Sequence, residues 1–371
     1  MKEKMVMANR MDFGYLKYRE EYINKVTQIL DAGRYILGEE VSSFEDEFAE
    51  YVGANYCVGL ASGLDALWLA FRILGIGTGD EVIVPANTYI ASVMGITING
   101  AIPVFVEPNC YYNIDVHEIE KHITERTKAI LAVHLYGQAA QIGKIVEIAK
   151  KYKLKIVEDC AQAHGAICGE QKVGTFGGIG CFSFYPTKNL GAFGDAGAIT
   201  TNDENIAREF RIYRNYGSEK RYYNKVVGAN SRLDEIQAGL LRIKLSHLEE
   251  LNTERNMLCK NYLENIENPL LIMPRVDDGV TTVWHQFVIR CDQRKKLIDY
   301  LEKHNIGSII HYPIPPHLSE AYRNLGYGVG AFPITEMYAD QVLSLPLYQG
   351  MGEEQKYVIE ALNNFDCRRD E

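Results

Sequence analysis

Between residues 55 and about 205 the chain alternates short β-branched runs with helical patterns, and that alternation leaves few folds open to it. Strands separated by helix-length segments pair in parallel and are covered by helices. Seven segments read as strands: Tyr56–Leu60, Glu81–Pro85, Ile102–Glu107, Ala129–His134, Lys155–Asp159, Gly180–Ser183 and Gly197–Thr201. Between the first two, Leu64, Leu67, Trp68 and Phe71 recur at i, i+3, i+4 and i+7 and make one apolar helix face. The pattern predicts an α/β fold with a mainly parallel seven-stranded sheet.

Downstream, a long helical pattern from Ser231 to about Ile266 carries Leu233, Ile236, Leu240, Ile243 and Leu248 on one side and leads the chain out of the sheet. Beyond Asn268-Pro269 the order becomes strand (Val283–Cys291), helix (Asp292–His304), strand (Ser308–Tyr312), a Pro-rich loop and two closing helices. That is the signature of a smaller α+β domain. The 371 residues suffice for two domains, expected as a large one over 1–250, including an N-terminal helical segment, and a small one over 251–371.

Charge and composition exclude several functions. With 39 Lys+Arg against 49 Asp+Glu the formal net charge is −10, so the chain has no general attraction for nucleic acid or anionic lipid, and any phosphate must be gripped locally. No segment reaches the roughly 18 apolar residues of a membrane span, and the opening MKEKMVMANR lacks the apolar stretch of a signal peptide. A cytoplasmic protein with no membrane partner is expected. The eight cysteines form no C-x-x-C pair and read as reduced core residues, and the nine histidines show no metal-ligand spacing, so no metal is expected. Gly137 to Gly143-Lys144 imitates a P-loop with one residue too many and Ile145 where Ser or Thr should stand; Gly75-Ile76-Gly77 has Asp80 at the third-glycine position of a dinucleotide fingerprint.

In open α/β sheets ligands collect beyond the carboxyl ends of the strands. The first strand ends in Ala61-Ser62-Gly63-Leu64-Asp65 and opens a helix, where N–H groups can hold a phosphate; Ser62 is equally suited to be an N-cap. The fifth ends in Glu158-Asp159, and a carboxylate there can ligate metal, act as base, hold a ring nitrogen protonated or cap a helix. The sixth leads into Ser183-Phe184-Tyr185-Pro186-Thr187-Lys188-Asn189, whose lysine, taken alone, is an ordinary surface cation. Together they match what pyridoxal phosphate (PLP) requires: an amine for its aldehyde, an acid for its pyridine nitrogen, and N–H and hydroxyl donors for its phosphate.

Five segments carry a wider resemblance: Ala61 to Leu67, Gly79 to Tyr89, Val157 to Gly165 (VEDCAQAHG), Ser183 to Asn189 (SFYPTKN) and Gly228 to Leu233 (GANSRL). They resemble the DegT/DnrJ/StrS sugar aminotransferases, a branch of the fold-type I PLP enzymes, in matching order from about Tyr35 to the C-terminus. The resemblance implies that Lys188 forms the Schiff base with PLP, that Asp159 pairs with the pyridinium, and that Gln162 lies near the ring's phenolic oxygen. It implies further that Ser62, Gly63 and Ser183 bind the phosphate and that Tyr89 stacks on the ring. Asn230 would reach the cofactor phosphate of a second subunit, which makes the expected state a homodimer with shared active sites.

The same resemblance sets the expected reaction: transfer of an amino group from an amino acid, glutamate by preference, to a nucleotide-linked keto sugar. A dehydratase subgroup carries histidine at the lysine position, so Lys188 favours transamination over PLP-dependent dehydration, and the retained lysine, acid and phosphate binders together disfavour a non-catalytic sugar-nucleotide sensor. Asn87-Thr88-Tyr89 with His311-Tyr312-Pro313 look more like enzymes acting on dTDP-linked 3-keto-6-deoxyhexoses than on 4-keto sugars. The segment bearing His311 and Tyr312 is placed near the sugar by the resemblance and otherwise reads as a Pro-rich connector. Tyr185 is suited either to bond the sugar or to pack. Lys220, Arg221 and Lys225 are suited to neutralise a nucleotide diphosphate, or to a solvated loop.

Overall fold

The computed structural model describes residues 5–368. Its main sheet holds β1 (Tyr56–Leu60), β2 (Glu81–Pro85), β3 (Ile102–Val106), β4 (Thr127–Val133), β5 (Lys155–Asp159), β6 (Ile179–Ser183) and β7 (Gly197–Thr201), in the spatial order β1-β7-β6-β5-β4-β2-β3. All pairings from β3 through β6 are parallel; β7 alone runs against its neighbours β6 and β1. The expected mainly parallel seven-stranded sheet is present.

Side-chain alternation explains why the sheet is covered twice. Val82, Val84, Ala129 and Leu131 face one way and pack with Leu67 of helix Gly63–Ile73 and Val93 of helix Ile90–Thr97. Ile83, Ile130 and Ala132 face the other way and pack with Ile142, Ile145 and Ala149 of helix Ile142–Tyr152. Strands apolar on both faces are the mark of a parallel sheet buried on both sides. A further cluster joins Val41, Phe44 and Phe48 of helix Glu39–Val52 to Phe182, Phe184 and Leu241, with the Phe48 ring edge-on to Phe182 at 5.0 Å.

The C-terminal part departs from expectation in detail. The long helical pattern is two helices, Glu235–Ser246 and Leu248–Asn265, divided at His247, whose φ/ψ of −106°/1° is not helical. The strand expected over Val283–Cys291 shrinks to β8 (Phe287–Arg290), because Trp284 adopts a left-handed φ of 45°. Ser308–Tyr312 is no strand: Ile309 makes only an isolated bridge to Ser344. The partner of β8 is instead the unexpected β9 (Val342–Leu345), antiparallel to it, between the closing helices Pro333–Gln341 and Gly352–Asn364. A fourth apolar cluster gathers Tyr262, Phe287, Leu301, Leu343 and Phe365, and takes in Val6 from the chain's start. Among the described residues no helix is long and apolar enough to cross a membrane.

One polar contact holds helix Glu39–Val52 in place. Its N-cap, Gly38, has no side chain, and the buried Glu235 carboxylate accepts the N–H groups of Gly38 (2.6 Å), Glu40 (3.0 Å) and Val41 (3.1 Å) instead. Replacing Glu235 by Ala leaves those donors buried and unpaired. The expected cost is about 3 kcal/mol, on the scale of hydrogen bonds to a charged group, read as a lower urea midpoint at unchanged m value.

Candidate active site

The carboxyl ends of β1, β5 and β6 open onto one cavity of about 580 Å³. β5 and β6 are neighbours, with Asp159 opposite Cys181, so the acid at the end of one strand lies beside the loop that leaves the other. That loop turns tightly, the Lys188 N–H bonding Tyr185 O at 2.8 Å, and brings Lys188 back over the cavity. Asn189 then locks it: its buried amide donates to Asn252 Oδ1 (2.9 Å) and Val283 O (2.8 Å) and accepts from His285 Nδ1 (3.2 Å).

The two charged groups are electrostatically costly. Burial pulls the Lys188 ammonium from its ordinary 10.5 to about 8, against the opposing pull of Asp159. Burial also raises Asp159, although Ser92 Oγ donates to Oδ2 (2.7 Å) and the Ala161 N–H to Oδ1 (3.1 Å). A buried carboxylate and a half-buried amine, each penalised when charged, suit a ligand that brings a cationic ring to one and an aldehyde to the other.

Beside them the chain makes a cradle from backbone. Ser62 caps helix Gly63–Ile73, its Oγ accepting the Asp65 N–H at 3.1 Å, so the first N–H groups of that helix face the cavity end. A methyl on Gly63 would meet Ser183 Cβ at 2.6 Å, and one on Gly197 would meet the Ser62 carbonyl carbon at 2.3 Å. Neither position tolerates a side chain. Ser183 lines the same corner. An oxyanion held by helix N–H groups and hydroxyls fits this cradle, so the residues present fit PLP at all three of its demands.

Most of the remaining predicted residues also line the cavity: Tyr89, Gln162, Tyr185, His311 and Tyr312. The Tyr89 ring lies 5.1 Å from that of Tyr312, tilted by 36°, and half of Tyr89 is exposed. Gln162 is fixed at both ends, accepting the Tyr136 N–H at 2.6 Å and donating to Tyr312 Oη at 3.0 Å. His311 pairs Nδ1 with Ser344 Oγ at 2.8 Å, and burial drags its pKa to about 4, which leaves the ring neutral at physiological pH.

Four predicted residues lie outside the cavity, and one of them, Lys225, is exposed and paired with Glu219. Asn230 is exposed and bridged to Asn215, though its neighbour Ser231 is buried and donates to Asp65 Oδ2 at 2.7 Å, just behind the cradle. Lys220 and Arg221 sit on an exposed hairpin, over the rings of Tyr223 and Tyr222 respectively. Conversely, Thr88, Ser92, Thr187, Asp195 and His285 line the cavity without having been assigned there from sequence. For Ser92 a signal existed: Thr88 and Ser92 stand four apart across the start of a helix whose first turn is otherwise apolar.

The buried trio His134, Glu158 and Cys160 is close enough to resemble a metal site. Its atoms are otherwise engaged. Glu158 accepts the N–H groups of Gly174, Phe176 and Gly177, and His134 Nδ1 accepts that of Ala140, which leaves the proton on Nε2 to bond Glu158 at 3.2 Å.

Comparison with known proteins gives a consistent result. The DegT/DnrJ/EryC1/StrS aminotransferase family matches residues 17–363. A dTDP-3-amino-3,6-dideoxy-alpha-D-galactopyranose transaminase of Aneurinibacillus thermoaerophilus is 52% identical over 94% of this chain and 96% of its own. A dTDP-3-amino-3,4,6-trideoxy-alpha-D-glucose transaminase of Streptomyces venezuelae is 44% identical over 96% and 95%. The crystal structure of S. venezuelae DesV with a ketimine intermediate superposes with a TM-score of 0.97 at 43% identity, covering 99% of this chain and 100% of that one.

Because the neutral amine is the nucleophile, labelling of Lys188 by acetic anhydride, followed by mass spectrometry in the protein without added cofactor, should rise with pH around a midpoint of about 8. Asp159→Asn removes the charge that favours the ammonium and should move that midpoint lower still.

Proposed function

The chain belongs to the DegT/DnrJ/EryC1/StrS aminotransferase family, and from that premise we propose that it transfers an amino group from glutamate to a dTDP-linked 3-keto-6-deoxyhexose. It is a PLP-dependent aminotransferase of the fold-type I class. The observation that carries the reading is the half-buried Lys188, in the loop that leaves β6, facing the cavity shared with Asp159 at the end of the adjacent β5 and next to a cradle closed to side chains. The sugar assignment rests on the two relatives named for 3-amino sugars.

When bound, PLP supplies an aldehyde that holds the amino group and a ring that withdraws electrons from the adjacent C–H bond. Everything else is work for this chain. Lys188, with an amine drawn toward neutrality, would carry the proton between the substrate carbon and the cofactor, first in one direction and then the other. Asp159 would hold the charge of the ring nitrogen. Ser62, Gly63 and Ser183 would grip the phosphate, and Tyr89 would cover one face of the ring. Tyr185, His311 and Tyr312, grouped at the same cavity, would receive the sugar, with His311 neutral and able to donate or accept a hydrogen bond.

A homodimer completes the reading. Asn230 and the hairpin with Lys220 and Arg221 are exposed and lie outside this chain's cavity, and Tyr222 and Tyr223 of that hairpin and Val227 just after it are exposed as well. We assign them to the partner's cavity, where the cations would meet the nucleotide diphosphate. All eight cysteines are free, in keeping with a reducing cytoplasm.

With glutamate and a panel of dTDP- and UDP-linked 3- and 4-keto sugars, mass and NMR analysis should show carbonyl oxygen replaced by nitrogen at C3 of the dTDP sugar. Lys188→Ala should lower turnover at least about a thousandfold. Faster amination of 4-keto sugars would overturn the substrate assignment, and products lacking nitrogen would overturn transamination.

A further inference from the structure

The hydroxyls next to Asp159 run in one direction. Asp159 Oδ2 lies 2.7 Å from Ser92 Oγ, and Ser92 Oγ lies 2.8 Å from Thr88 Oγ1. An ionised carboxylate only accepts, so Ser92 spends its single proton on Asp159. Ser92 is then the acceptor toward Thr88, and Thr88 donates. Ser92 is 1% and Thr88 2% exposed, so water does not compete for either hydroxyl.

The geometry comes from a helix start. Tyr89 is the N-cap of helix Ile90–Thr97, which places Thr88 just before the first turn and Ser92 within it, four residues on and on the same side. The rest of that turn is apolar. Two buried hydroxyls there cost desolvation unless each is bonded, and both bonds lead to the same carboxylate. Desolvation raises Asp159, and among the influences that oppose it the Ser92 bond is the largest, ahead of the Ala161 N–H and the charge of Lys188.

We propose that Thr88 and Ser92 form a directional donor chain that keeps Asp159 ionised and fixed in orientation toward the cofactor's ring nitrogen, which makes Ser92 a positioning residue for PLP binding. The proposal rests on Asp159 being the ring's partner, as argued above. Ser92 acts only through Asp159: its influence passes along one hydrogen bond and disappears when the carboxylate or the ring nitrogen is removed.

The test is an equilibrium titration of the cofactor-stripped full chain with PLP. Ser92→Ala should weaken binding on the order of tenfold, the scale of one hydrogen bond to a charged group, and Thr88→Val should weaken it by about two- to threefold. In an Asp159→Asn background, Ser92→Ala should change affinity by less than about twofold. The same substitution should leave unchanged the affinity for a deaza analogue of PLP with C–H in place of the ring nitrogen. Equal losses in both backgrounds, or an equal loss with the analogue, would mean a packing role and overturn the proposal. Unchanged PLP affinity in both Ser92→Ala and Thr88→Val would overturn it too. Should Ser92→Ala not fold, Thr88→Val in the two backgrounds decides alone. Wild-type chain that takes up no PLP would overturn the reading of the whole site, whereas wild-type uptake with indifferent variants would overturn the donor chain alone.

Discussion

A buried acid and a half-buried amine facing one cavity, Asp159 and Lys188, are the constraint around which this molecule is organised. In solution a lysine and an aspartate ionise without cost; here burial pushes each toward its neutral form. Such a pair is unfavourable to keep and is tolerated only where the surrounding structure fixes it. The fixing is visible on both sides: donors converge on Asp159 from Ser92 and Ala161, and the residue after Lys188 is held by Asn252, Val283 and His285. The parallel sheet supplies the adjacency, since β5 and β6 end at the same edge.

The sheet was legible in the sequence because its strands are apolar on both faces and separated by helices, so each run such as Val82-Ile83-Val84 stands out without help from its neighbours. The C-terminal part was less so. Val342–Leu345 is short and follows directly on helix Pro333–Gln341, and only pairing with Phe287–Arg290 makes it a strand. Trp284 cuts the preceding run by adopting a left-handed conformation that nothing local requires. In each case a distant contact decides, which periodicity does not record.

The site divides the same way. Residues at or just beyond strand ends, Ser62, Asp159 and Lys188, were readable as cavity-lining because the fold places strand ends at the cavity. His311 and Tyr312 followed from resemblance, and Tyr185 from its nearness to Lys188 in the chain. His285 and Ser92 are ordinary residue types in apolar surroundings, and their importance comes from what they touch: His285 meets Asn189 across 96 positions of chain, and Ser92 meets Asp159 across 67. Lys220, Arg221 and Asn230 come together in sequence around a hairpin that a single chain leaves exposed.

The amide of Asn189 ties the reactive loop to residues that follow it by many tens of positions. A fragment ending after helix Glu235–Ser246 would retain every strand of the seven-stranded sheet, the cradle, the acid and the amine. It would nevertheless lose Asn252, Val283 and His285, and with them each of the side-chain bonds that hold Asn189. Inventory and competence are therefore separable in this architecture: the piece that owns these chemical groups is not the piece that aims them, and a chain cut there keeps the parts without their alignment.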